Sequence, residues 1–399
     1  MTKNLAIRKG SIAKWAISVY LLYMLWFQYA VTQINFVMPV CAVVLGLYII
    51  INLKPLSFYR YLFPLLLFFV CCIVSSLFSE PFSYGIRFYT NMVKYSIPMV
   101  AIFRYVDRDE KKLENVNWII SIACALVALS TIIKGRLTQT GATTLGELNT
   151  NVLSTYLMLG LISDCLLLTS NISLAKKRGI AGIIVLQGIA QLFAASRRGI
   201  IVFSLLCIIY LLVNLINLPS TRGKLLRYTF TCSLVVIVTA FFSEELLNIV
   251  RNSTFFQRFL GNADTVGGNR LRGYYQEVAW DLFVSSPVIG RGLGVVAKYA
   301  GIYSHSMYYE TLACTGIAGL LCILYLFWML GKSCMRMKKI QKCSMRNANL
   351  IMIIWSIIAI LLTGITVVLI YDSVFYILIA VITVSVRVRE RDVWGGIGN

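Results

Sequence analysis

The apolar positions of this chain fall into long unbroken runs, with few of the alternating or heptad patterns of soluble strands and helices. A helix needs about 20 apolar residues to cross the hydrocarbon of a bilayer, and shorter runs suffice where the bilayer thins or flanking side chains snorkel. That measure predicts spans near 13–31, 34–53, 61–78, 88–103, 116–133, 151–169, 179–195, 199–218, 228–243, 306–331, 348–370 and 373–386. Lys94 and Pro98 interrupt the fourth, and the last is short; losing either would invert part of the topology. The predicted fold class is therefore an all-α integral membrane protein with about 12 transmembrane helices. It divides into helices one to nine in 1–243, an extracytoplasmic loop in 244–305, and helices ten to twelve with a short cytoplasmic tail in 306–399.

The loop from Ser243 to His305 stands out because the other connections are short, and long loops of this kind are usually functional. Within it, Tyr274–Val284 varies apolar with polar positions and sets Trp280 and Phe283 on one side, which predicts an amphipathic helix along the membrane surface. No short apolar stretch ends in a small-residue cleavage site, so no removable signal peptide is expected.

Composition strengthens the membrane reading: 59% of residues are hydrophobic and only 13% charged, against about a quarter charged in soluble domains. The 11 cysteines do not suggest disulfides. Most lie in apolar runs, and Cys334 and Cys343 lie in a basic loop read as cytoplasmic. With a single histidine and no exposed cysteine cluster, a zinc site lacks ligands, and no metal or cofactor is expected.

The net charge of +21 has a topological origin. Lys and Arg collect in short cytoplasmic loops. With both termini inside, the spans put Lys54, Arg60, Arg104, Lys176, Lys332, Arg336, Arg387, Arg389 and most other cations on the inner side. Nucleic-acid binding is not needed to explain the charge. The outer cations are arginine except for Lys134 and Lys298, and only Arg197 and Arg198 stand against the rule in a short turn. Arg presents a planar fork that grips phosphate oxygens bidentately, which suits a diphosphate ligand better than Lys does. Arginines at helix ends also commonly snorkel to headgroups, so each alone is a weak signal.

Intramembrane Asp164 and Lys94 are read as structural or interfacial, and Asn149 and Asn151 as caps of span six or as ligands of a sugar hydroxyl. His305 gains weight from its setting, at the end of the long outer loop, among arginines, between "IGRGLG" and "TGIAGLL". The first glycine cluster would let backbone approach a ligand, and the second would let helices pack closely. Nearby arginines would keep the imidazole neutral, able to accept a proton from a sugar hydroxyl while they hold an anionic leaving group.

These segments in order resemble the O-antigen polymerase and O-antigen ligase superfamily of bacterial envelope polysaccharide enzymes. "SRRG" at Ser196–Gly199 is similar to its Ser-Arg turn, and Arg272 followed by Trp280, Pro287, Gly290, Gly292 and Gly294 to its arginine, aromatic, glycine run. His305, Tyr308, Gly316 and Gly319 match its histidine-led segment. Ser306 stands where the family usually has Asn, and Cys314 where it often has an acid; Glu310 substitutes only in part, being read onto another helix face.

The resemblance implies a polymerase that passes a glycan chain from undecaprenyl diphosphate to the hydroxyl of a carrier-linked repeat unit, for capsule, exopolysaccharide or O-antigen, at the outer face of the bacterial cytoplasmic membrane. It implies His305 and Arg272 as catalytic, Arg197, Arg198, Arg270 and Arg291 as diphosphate ligands, and Ser306, Tyr308, Glu310 and Asn151 as acceptor-binding or helix-positioning residues. The choice between Arg270 and Arg272 for the loop role stays open. Membrane lipid, a chain-length regulator and a flippase are the implied partners. The alternatives are a ligase acting on lipid core or protein, and a lipid-linked oligosaccharide flippase.

Overall fold

The computed structural model describes residues 2–31, 36–78, 82–137, 143–146, 148–216, 265–340 and 344–394. Numbered along these residues, the helices are α1 (Thr2–Leu22), α2 (Val37–Ile51), α3 (Phe63–Leu77), α4 (Phe82–Val106), α5 (Glu110–Lys134), α6 (Thr150–Leu168), α7 (Leu174–Ala194), α8 (Arg197–Ile216), α9 (Thr265–Ser285), α10 (Val295–Ala300), α11 (Met307–Ile340), α12 (Ser344–Gly364) and α13 (Ser373–Trp394). A π-helical turn, Tyr23–Phe27, prolongs α1. A small antiparallel ladder joins Arg136–Leu137 to Thr143–Thr144 between α5 and α6.

A helix overlaps every predicted span except the ninth, at 228–243, which lies outside the described residues. Glu110–Lys134, Thr150–Leu168, Arg197–Asn214, Met307–Ile340 and Asn347–Gly364 are long and apolar enough to cross a membrane; Val37–Ile51 and Phe63–Leu77 are apolar but shorter. This is an all-helical, multi-pass membrane architecture. The doubtful fourth span is one continuous helix through Lys94 and Pro98, since neighbouring helices can re-satisfy the backbone group that a proline frees.

The last span is short as an apolar run, but its helix is longer. Its helix continues to Trp394, and nearly every residue from Val374 to Glu390 is buried. A helix apolar all round belongs in the middle of a bundle, and "VFYILIAVITVSV" has no polar face. α6 is the second central helix: its residues from Leu153 to Leu168 are all buried. Tyr156 on α6 reaches Ser373 at the start of α13 and Tyr29 after α1, at 3.5 and 3.2 Å. Asp164 is buried on α6 beside Ser121 and Gln187, whereas Lys94 is exposed on α4, and no ion pair joins them among the described residues.

One end of the bundle is fastened by charge. Arg389 pairs with Glu110 and Asp392 at 2.8 and 3.1 Å, and its Nε donates to Asn349. Arg387 donates to the Phe58 carbonyl, lies 4.2 Å from that ring centroid and reaches Asp107 at 3.9 Å. Arg104 and Lys54 close on the same Asp107. By the charge rule all these cations are inner-side topology signals; they also tie the helix ends together. The single histidine lies at the opposite end, where α6, α8, α11 and α13 begin and α7 and α12 finish.

Candidate functional site

The glycine run folds into a helix break. Gly316 has φ 64° and ψ −166°, so α11 is interrupted there and the helical bonds from Ile317 to Ala313 and from Ala318 to Cys314 cannot form. The loop after α9 replaces them. The Ile317 and Ala318 N–H groups donate to the Pro287 and Val288 carbonyls at 2.9 and 3.3 Å, while Arg291 and Gly292 N–H groups donate to the Ala313 and Cys314 carbonyls at 2.9 Å each. These four backbone groups freed by the break are thereby paired, as low-dielectric surroundings demand. Ser75 of α3 seals the junction, donating to the Cys314 carbonyl and accepting from Gly292 N at 2.7 Å.

The expectation that the first glycine cluster brings backbone close to a ligand is therefore corrected: at Gly290 it brings loop backbone close to helix backbone instead, and Gly316 allows the close packing expected of the second. A Cβ on Gly290 would lie 2.4 Å from the Cys314 carbonyl, and one on Gly316 would lie 2.3 Å from the Val288 oxygen.

The same junction positions His305, in the turn between α10 and α11. Its φ is 58°, a left-handed value that a side chain adopts at a cost. The turn is held from below: Glu310, wholly buried, accepts the Ser304 N–H at 2.8 Å, and its second oxygen meets the Tyr371 hydroxyl at 3.4 Å and the Cys314 thiol at 3.8 Å. Tyr371 in turn accepts from Gly294 N at 3.2 Å. Glu310 and Cys314 thus share one helix face, as their spacing of four requires, and the different face assigned to Glu310 is wrong. The imidazole is half-buried, edge-on to Tyr303 at 4.8 Å and tilted to Tyr275 at 5.8 Å. Burial, and next the positive charge of Arg272, push its pKa below 6.5, so it is neutral at pH 7.

Arg272, on α9, is half-buried on the side facing His305, whereas Arg270 is exposed and about 200° round the helix. Arg291 is also exposed and donates to Ser285 at 2.9 Å, with no contact to the histidine. The helix predicted at Tyr274–Val284 is present and longer, with Trp280 meeting Tyr309 of α11 at 6.5 Å.

Arg198 completes the cluster from the start of α8. Ala195, at φ 49°, turns the chain out of α7, and Ser196 donates to the Asn151 side chain at 3.0 Å. Arg198 donates to the Thr363 carbonyl at 3.1 Å and the Asn151 carbonyl at 2.8 Å, joining α8 to α6 and α12. It lies within electrostatic reach of Arg272, as does His305. Arg198 Nε and Arg197 Nη2 are buried without a hydrogen-bond partner. Buried guanidinium donors are rarely left so.

The remaining site candidates divide by role. Asn149 caps α6 by accepting from Asn151 and Val152 N–H groups at 3.1 and 2.9 Å, and lies within reach of the Tyr303 hydroxyl. Tyr308 donates to the Leu361 carbonyl at 2.7 Å, fixing α11 to α12. Ser306 is buried, and its carbonyl accepts from Ser304 Oγ and Glu310 N. Sequence reasoning missed Tyr275, Tyr303, Tyr371 and Asp372. Asp372 caps α13 at 3.0 Å from Val374 N, and burial pushes its carboxyl up to about 6. The signal present was an acid set directly before a wholly apolar run, "YDSVFYILIAVITV".

Residues 182–324 match the family model described as O-antigen ligase. The match bears out the resemblance to the O-antigen polymerase and ligase superfamily. It runs from α7 into α11 and so contains Arg198, Arg272, His305 and the helix break, but not Asn151, Thr363 or Tyr371, which come from outside it to complete the cluster. Comparison of the chain with curated proteins gives no match.

Proposed function

We propose that the protein is a polysaccharide polymerase that transfers an undecaprenyl-diphosphate-linked glycan to the hydroxyl of a carrier-linked repeat unit at the outer face of the bacterial cytoplasmic membrane. The observation that supports this best is the convergence of a neutral, half-buried imidazole with Arg272 and Arg198 at one end of the bundle. The acceptor oxygen attacks the anomeric carbon as its proton passes to His305, and the bond from that carbon to the diphosphate oxygen breaks. Arginines stabilise the charge that develops on the departing diphosphate, the larger share of the rate gain. They supply the positive charge a metal would otherwise bring, so the transfer is metal-independent.

Within the arginine set the roles differ. Arg272 and the unpartnered donors of Arg197 and Arg198 are the diphosphate ligands. Arg270 and Arg291, exposed and away from the histidine, are loop charges that draw the anionic carrier in.

A ligase is the second reading, favoured by the description of the matching family. A strain lacking the protein separates them on a gel of surface polysaccharide. Single repeat units attached in the normal way support the polymerase; long unattached chains support the ligase; carrier-linked repeats held at the cytoplasmic face would mean a flippase. A reporter inserted near Asn262 should read as extracytoplasmic and one after Trp394 as cytoplasmic. The reverse pattern overturns the orientation.

A further inference from the structure

At the charged end of the bundle, α11 carries a graded stripe. Leu321, Tyr325 and Trp328 are about half exposed, and Lys332 and Arg336 follow on the same face at helical spacing. The Tyr325 and Trp328 rings stack at 5.5 Å, and Lys332 Nζ sits 4.2 Å from the Trp328 centroid. From Leu321 to Lys332 the helix rises about 16 Å, half of a hydrocarbon core of about 30 Å. Apolar, aromatic and then cationic is the order in which a leaflet presents acyl chain, interface and phosphate.

Beside the cations lies a cleft of about 340 Å³ among the approach to α3, α11 and the end of α13, lined by Arg60, Tyr61, Trp328, Lys332, Ser333 and Arg336. Its one acid, Glu390, is already committed to Arg60 at 2.5 Å and to the Tyr61 hydroxyl. Neither Lys332 nor Arg336 forms an ion pair among the described residues. The cleft therefore holds net positive charge. Arg60 also stands at the mouth of an apolar groove of about 470 Å³ between α3 and α4, lined by Leu62, Phe63, Leu66, Phe69 and Val100.

We propose that this cleft binds the headgroup of an anionic glycerophospholipid, its phosphate held by Lys332, Arg336 and Arg60 and one acyl chain lying in the α3–α4 groove. A soluble anion would have no use for the groove or for the Tyr325–Trp328 belt. A zwitterionic lipid would leave the excess charge unanswered. Basic pockets between helices at the cytoplasmic interface commonly serve anionic headgroups.

The test is native mass spectrometry of the full-length protein taken from vesicles of phosphatidylcholine with or without phosphatidylglycerol. The wild type should retain a phosphatidylglycerol that the Lys332→Gln/Arg336→Gln variant retains about thirtyfold less well. Lys338→Gln/Lys339→Gln, on the same helix but outside the cleft, should retain it, as should the charge-preserving Lys332→Arg/Arg336→Lys. Equal retention by wild type and the first variant, equal retention of phosphatidylcholine, or displacement by inorganic phosphate at millimolar concentration each overturns the proposal. Because the readout is bound lipid, polysaccharide synthesis does not enter the outcome.

Discussion

His305→Ala removes long surface polysaccharide while the protein still inserts and accumulates in the membrane. Losing a positioned base costs about 10²–10⁴ in rate, which at a fixed time of growth leaves only single repeats. His305→Gln sharpens the assignment, because an amide keeps a hydrogen bond to an acceptor hydroxyl but cannot take its proton. Loss as deep as in alanine marks a proton acceptor; recovery of intermediate lengths marks a residue that orients the acceptor. Arg272→Ala should lose about 10²–10³ through weaker support of the leaving group, and Arg272→Lys should recover little because the planar fork is gone. Wild-type chain length in both alanine variants would falsify the site.

The pH dependence has a definite sign. Burial and Arg272 both lower the His305 pKa, so the working neutral form persists below the ordinary histidine range. In isolated membranes the acid-side midpoint of the rate should lie below the ordinary histidine value of about 6.5. Residual activity in Arg272→Gln should begin to decline at a higher pH, since one cause of the depression is gone. Burial is the larger cause, so the displacement is modest. An unchanged or downward displacement rejects the coupling between the two residues.

The spans were legible because lipid leaves a chain little choice: backbone groups must be paired within a helix, and runs of apolar side chains record where. The ordered motif was legible for a related reason, since its arginine, glycines and histidine lie close enough in sequence to be read together. What surrounds them was not. Asn151 and Thr363 meet Arg198 from helices far away in sequence, and Tyr371 meets Glu310 across 61 positions. Charge counting placed Arg387 and Arg389 on the inner side but could not say that both are buried against Asp107 and Glu110. A sign rule reports which side a cation occupies and is silent about its partner.

Gly290→Ala should be among the most damaging small changes in the chain, although Gly290 touches neither His305 nor an arginine of the cluster. Its φ of 72° already costs an alanine about 1–2 kcal/mol. The added methyl would lie 2.4 Å from the backbone of Cys314 and Thr315, and backbone in a packed junction cannot swing aside as a long side chain can. Relief requires the loop to lift from α11, which gives up its bonds to Ala313, Cys314, Ile317 and Ala318 and strands those groups at about 1–3 kcal/mol each. The Ser304–His305 turn is anchored to that junction through Glu310, Tyr371 and Gly294, so activity should fall with stability. In detergent the variant should melt several degrees below wild type, and chains should shorten or vanish. Gly331→Ala is the matched control on the same helix: nothing lies within 4 Å of its added methyl, and alanine is the better helix former by about 1 kcal/mol. That variant should melt no lower than wild type. If Gly290→Ala behaves like Gly331→Ala, the inserted loop does not hold the histidine turn.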